Sequence, residues 1–140
     1  MPRPATRTRK TGHPGYSETL PREPESATTA RRLVRAACAA WCLDGLADDG
    51  ALIVSELMSN AVRHARRGSL RVVVERPETA CLRIGVVDFS KAPPVRRAPD
   101  PEDEGGRGLV LVAELAEDWG SEPLPWGKRV WAELRGKGDE

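Results

Sequence analysis

Residues 55–87 read SELMSNAVRHARRGSLRVVVERPETACLRIGVV, and a change of period inside this stretch decides the fold. Before it, Asp48 or Asp49 starts a helix that the spacing carries to about Ala65. Val54, Leu57, Met58, Ala61 and Ala65 line one side of that helix, and Gly68 closes it. The pattern then switches. Leu70–Glu75 (LRVVVE) and Cys81–Val87 (CLRIGVV) are rich in β-branched residues and read as two strands. The short link Arg76–Ala80, with Pro77 inside it, suits a hairpin.

Upstream, Ser26 is placed to cap a first helix that runs to about Trp41. Its apolar stripe is Ala30, Leu33, Val34, Ala37 and Trp41, and Gly45 ends the unit. Tyr16–Leu20 fits a short edge strand before Pro21 and Pro24. Residues 1–15 hold three prolines, two glycines and four basic residues without a hydrophobic period, and are expected to be a disordered basic tail. Downstream, Ser90–Gly106 carries four prolines, an acidic run and a glycine pair, and no periodic element fits it. A loop of that length in a compact domain is usually functional or disordered. Arg107–Trp119 returns to helical spacing, and Lys128–Leu134 (KRVWAEL) is a last strand, with Trp126 and Gly127 in the turn before it. The order of elements implies a two-layer α/β sandwich with helices on one face of a sheet. The domain is expected over residues 16–135, with 136–140 a flexible C-terminus.

Composition narrows the class. The 140 residues (15.3 kDa) suit one domain able to bury a real core. Hydrophobic residues make up 39% and charged residues 31%, as in a globular protein with a polar tail. Twenty-two basic against 21 acidic residues leave +1, which speaks against a strongly basic nucleic-acid binder. No uncharged apolar run reaches the roughly 18–20 residues of a membrane helix. No apolar signal core follows the basic N-terminus (Arg3, Arg7, Arg9, Lys10), so export is not expected. Three cysteines make no disulfide framework and point to a reducing cytoplasm. Cys38 and Cys42, four apart, are expected to pack rather than bind a metal.

Three pieces carry chemistry. The second helix bears Glu56 and Asn60 about 40° apart in azimuth. His64 lies another 40° or so round, and Arg63 about 20° to the other side of Glu56. This is either an ordinary solvated face or an amide–carboxylate oxygen pair fit for Mg²⁺ or water. Asn disfavours a helix interior, which raises the second reading. The second piece is Gly105-Gly106-Arg107-Gly108-Leu109, ahead of a helix. It is either a hinge or an anion site, where free N–H groups and absent side chains let phosphate approach. It is neither a Walker loop nor a dinucleotide fingerprint. The third is Asp88, at the tip of the strand Cys81–Val87. It either starts a turn or accepts hydrogen bonds from an exocyclic amine.

Together these pieces resemble the ATP-binding domain shared by histidine kinases, Hsp90-like chaperones, gyrase and MutL-type proteins, the Bergerat fold. The best resemblance is to stand-alone anti-sigma-factor serine kinases, abundant in actinobacteria. The 18 Arg against 4 Lys suit a GC-rich genome of that kind. Ser55–Ala65 resembles the N-box. Val87-Asp88-Phe89-Ser90 with Pro93 and Pro94 resembles the first glycine-box region, and Gly105–Leu109 the second. Trp119-Gly120 and Gly127–Trp131 resemble the closing hairpin. The resemblance implies an α+β two-layer sandwich with a mixed, mostly antiparallel sheet, about three helices on one face, and a mobile lid over ATP at Ala92–Gly105. It implies that Glu56 is a general base, that Asn60 coordinates Mg²⁺, and that Asp88 reads the adenine amine. Gly106, Arg107, Gly108 and Leu109 would cradle phosphates through backbone N–H groups, and Arg63 would meet phosphate. His64 matches a frequent family position, where packing is the favoured role. Two features depart from the family. Ser90 and Ala92 stand where glycines often fall, and Arg129 stands where a Thr often supports adenine recognition.

The leading expectation is a cytoplasmic Mg·ATP-dependent serine/threonine protein kinase. It would phosphorylate an anti-sigma antagonist protein and control a sigma factor by partner switching. The alternative is a non-catalytic ATP-binding interaction module. A third reading, a nucleic-acid adaptor acting through the basic tail, is weakest. No membrane partner is expected, and a homodimer is left open because the related branch often pairs.

Overall fold

The computed structural model describes residues 6–8, 14–64, 68–89 and 105–136. Six strands form one sheet: β1 (Thr6–Thr8), β2 (Pro14–Pro21), β3 (Ser69–Glu75), β4 (Cys81–Asp88), β5 (Asp118–Leu124) and β6 (Gly127–Arg135). Their order is β1-β2-β3-β4-β6-β5, and each of the five neighbouring pairs is antiparallel. Helices α1 (Ser26–Ala40), α2 (Ala47–His64) and α3 (Gly105–Leu115) cover one face. The result is the expected α+β two-layer sandwich. No helix among the described residues is long and apolar enough to cross a membrane.

The period-2 pattern of the strands decides which face the helices take. Leu70, Val72 and Val74 of β3, Leu82, Ile84 and Val86 of β4, and Val130, Ala132 and Leu134 of β6 all enter one core. Leu33, Val34 and Ala37 of α1, Ile53, Val54, Leu57 and Met58 of α2, and Val112 of α3 meet them there. Gly50 lets α2 sit low on the sheet, because a Cβ there would stand 3.0 Å from Val34 Cγ1 and 3.1 Å from Leu82 Cδ2. Arg31 Nη1 donates to Ser55 Oγ at 2.9 Å and ties α1 to α2. The opposite face carries Arg83 between Glu133 (Nε to Oε2 2.8 Å) and Glu75 (3.8 Å), with its guanidinium 5.9 Å from the centre of the Trp131 ring.

Several expectations change. The stretch expected to be a tail contributes Thr6–Thr8, which pairs with Pro14–Tyr16. A β-branched Thr-x-Thr run suits an edge position, and pairing satisfies its backbone groups. Ser26 does not cap α1. Its hydroxyl donates to the Pro21 carbonyl at 2.7 Å, closing the end of β2, while Glu25 holds the cap position without a side-chain bond. The first helical unit turns at Cys42 (φ 59°) rather than at Gly45. Trp119 leaves the third helix and joins β5, because α3 ends at Leu115 and the Glu117 N–H bonds to the Glu133 carbonyl at 2.8 Å. That pairing makes the last strand half of a hairpin, with the turn at Pro125–Trp126 and Gly127 already in β6.

Candidate functional site

Topology gathers the singled-out residues at one end of the sheet. Helix α2 feeds β3 there, and Leu70, near the start of β3, lies opposite Asp88, the last residue of β4. Asp88 lies in turn opposite Lys128, near the start of β6. Helix α3 runs the other way. It leads through Ala116 and Glu117 into Asp118, which pairs with Glu133 at the far end of the sheet. Its glycine-rich first turn therefore lies toward the Asp88 end.

Asn60 sits one turn beyond Glu56 on α2. It is buried, at 5% exposure. The solvated-face reading fails for this residue. Glu56 beside it is half-buried, and Arg63 is exposed. The last turn of α2 is fixed from outside: Arg22 Nη1 donates to the Val62 carbonyl at 2.9 Å, and the Arg22 N–H bonds to the Gly68 carbonyl at 2.8 Å. A guanidinium is well placed at a helix C-terminus, where unclaimed carbonyls carry partial negative charge. The side chains of His64 and Arg107, and residues 92–104 of the expected lid, lie outside the described residues.

Asp88 is buried (7%) on the helix-covered face, in line with Leu82, Ile84 and Val86. Phe89 follows it and stacks on Trp126, ring centres 5.4 Å apart and 20° from parallel. Gly127 presses on the same point, since a Cβ there would fall onto the Asp88 carbonyl oxygen. The glycine run forms the first turn of α3. A helix starting at Gly105 leaves its earliest N–H groups unclaimed. The N–H of Leu109 already belongs to the ladder, directed at the Gly105 carbonyl four residues back. The Leu109 side chain packs against the core. Leu109 is therefore a packing residue here, and the available donors are those of the turn before it.

Arg129 needs a correction. It lies opposite Val87 and Glu122, on the face away from the helices, where Nη2 pairs with Glu122 Oε2 at 3.1 Å and Nε is buried without a partner. The side chain that flanks Asp88 on its own face is Lys128. Sequence reading passed over it, although alternation from Val130 gives the signal. Among the described residues no group of three or more His, Cys, Asp or Glu side chains is disposed to hold a metal.

The family model for the histidine kinase-like ATPase domain matches residues 20–133. No curated protein matches the sequence. The fold is similar to the crystal structure of the RsbU and RsbW domains of Rv1364c from Mycobacterium tuberculosis, with a TM-score of 0.66 and 20% identity. The likeness covers 87% of this chain and 32% of that one, so the chain spans about a third of its structural relative.

Proposed function

Because this chain belongs to the histidine kinase-like ATPase domain family, we propose that it is a Mg·ATP-binding regulatory protein. In this reading it acts as a serine/threonine protein kinase of the anti-sigma-factor type. It phosphorylates a small antagonist protein and silences a sigma factor through another surface, partner switching linking the two. The observation that supports the reading is the burial of Asn60 one turn from Glu56, on the helix that ends where Asp88 ends its strand and toward which the glycine turn lies.

The residues fit the nucleotide and its ion. The Asn60 side chain offers one oxygen, and Mg²⁺ commonly takes one or two protein oxygens and fills its shell from phosphates and water. When bound, the ion offsets phosphate charge. Asn60 offers its side-chain oxygen to it, and Asp88 accepts the exocyclic amine of the base. The N–H groups of Gly106, Arg107 and Gly108 face the phosphates, and Arg63 adds a positive charge near them. Glu56 would accept the proton of the attacking hydroxyl as the hydroxyl oxygen bonds to the γ-phosphorus and the bond from that phosphorus to the β–γ bridging oxygen breaks, releasing ADP. Phosphoryl transfer asks the protein mainly for such positioning. Three free cysteines accord with a reducing cytoplasm.

The test is transfer of labelled phosphate from ATP to a candidate antagonist. Glu56→Gln should keep ATP affinity and lose transfer by about a hundredfold or more. Tight Mg·ATP binding by the unaltered chain with no transfer to any antagonist would make it a binding module instead.

A further inference from the structure

Lys128 is the direct antiparallel partner of Asp88. Strand alternation puts it on the face of Val130, Ala132 and Leu134, the face on which Asp88 is buried. Side chains directly opposite on neighbouring strands stand about 5 Å apart at Cβ. The register cannot slip by one residue, because that would turn Val130, Ala132 and Leu134 out of the core. Only a glycine at 127 fits against the Asp88 carbonyl where the two strands meet. That end of the sheet therefore presents an acceptor and a charged donor from directly opposed strand positions.

We propose that Lys128 is a second base-reading residue: Asp88 accepts the exocyclic amine of the purine while the Lys128 ammonium donates to the ring nitrogen beside it. The inference rests on the assignment of Asp88 to the base. An aminopurine edge carries a donor next to an acceptor, and the Asp–Lys pair is its complement. Hypoxanthine carries a carbonyl at the amine position and an N–H at the ring position. It would set oxygen against carboxylate and N–H against ammonium. Arg129, on the other face and paired with Glu122, does not take part.

The experiment is calorimetric titration of the full chain with Mg·ATP and Mg·ITP. Wild type should prefer ATP. Lys128→Met should weaken ATP binding about tenfold, since hydrogen bonds to a charged group are among the stronger ones. It should leave ITP binding little changed, and so collapse the preference. Lys128→Arg should recover part of it. Circular dichroism of each variant separates loss of fold from loss of contact, and Arg129→Met is the control that should not move the preference. Equal ATP affinity in wild type and Lys128→Met, or a wild-type preference for ITP, overturns the proposal. If Asp88→Ala and Asn60→Ala still lose ATP in that case, the functional reading survives. No ATP binding by wild type overturns both.

Discussion

Asn60 puts the proposed site to the test at a single residue. Asn60 is only 5% exposed and stands inside a helix, where Ala is favoured over Asn. Asn60→Ala is therefore expected to keep or raise the melting temperature while abolishing Mg-dependent ATP binding. A scan and a titration on the same sample check both. A clear drop in melting temperature would mean the amide has a structural bond. Cysteine chemistry is decided by burial. Cys38 is fully buried, and burial, aided by Asp44, pushes its thiol up to about 11 from the ordinary 9.0. Cys81 is also raised, first by burial and then by Glu133. For a thiol with a raised folded value, the contribution to stability is full below the unfolded value. It is lost as pH rises through the folded one, so stability should fall between pH about 9 and 11. At pH 8 a maleimide should label exposed Cys42 first, and Cys38 and Cys81 only on unfolding. Mass spectrometry of tryptic peptides reads the order.

Among the elements, the junction of β4 with β6 matters most to the site. Gly127→Ala drives a methyl group onto the Asp88 carbonyl and must part the two strands there. A loss of about 1–3 kcal/mol is expected, as for other forced overpacking, and urea unfolding measures it. An unchanged midpoint would show that the strand end gives way freely. The elements also show what was legible in the sequence. Helix α2 and strands β3 and β4 could be read directly, because their apolar residues keep a strict period. Strand β5 could not. Asp118-Trp119-Gly120-Ser121 has no alternation and holds only exposed or half-exposed positions, so its strand state comes from pairing with β6. Ser26 is another instance. A hydroxyl at a helix start reads as a cap, and the nearby Pro21 carbonyl takes it instead.

At the scale of the whole molecule, one feature could not be read from any local pattern: which side chains meet at the sheet end. Glu56 and Asn60 are one turn apart and could be paired from helical geometry. Asp88 and Lys128 are forty residues apart in sequence and meet only through the β4–β6 register. Arg129 was the natural candidate by position along the chain, and strand parity sends it to the other face. A ligand that joins these distant pieces should stabilise the fold as a unit. At a hundredfold excess over its Kd, Mg·ATP adds about 2.7 kcal/mol. For a domain of this size that is a rise of roughly 10 °C in melting temperature. The rise should vanish in Asn60→Ala, and thermal scans with and without Mg²⁺ test this.

Trp126, 44% exposed and stacked on the residue that follows Asp88, also gives the molecule a built-in optical gauge. If Asp88 holds the base as proposed, the Trp126 indole lies where the environment would change when a purine enters. With Trp41, Trp119 and Trp131 replaced by Phe, the emission of this one ring would follow loading and release in real time, with no dye attached.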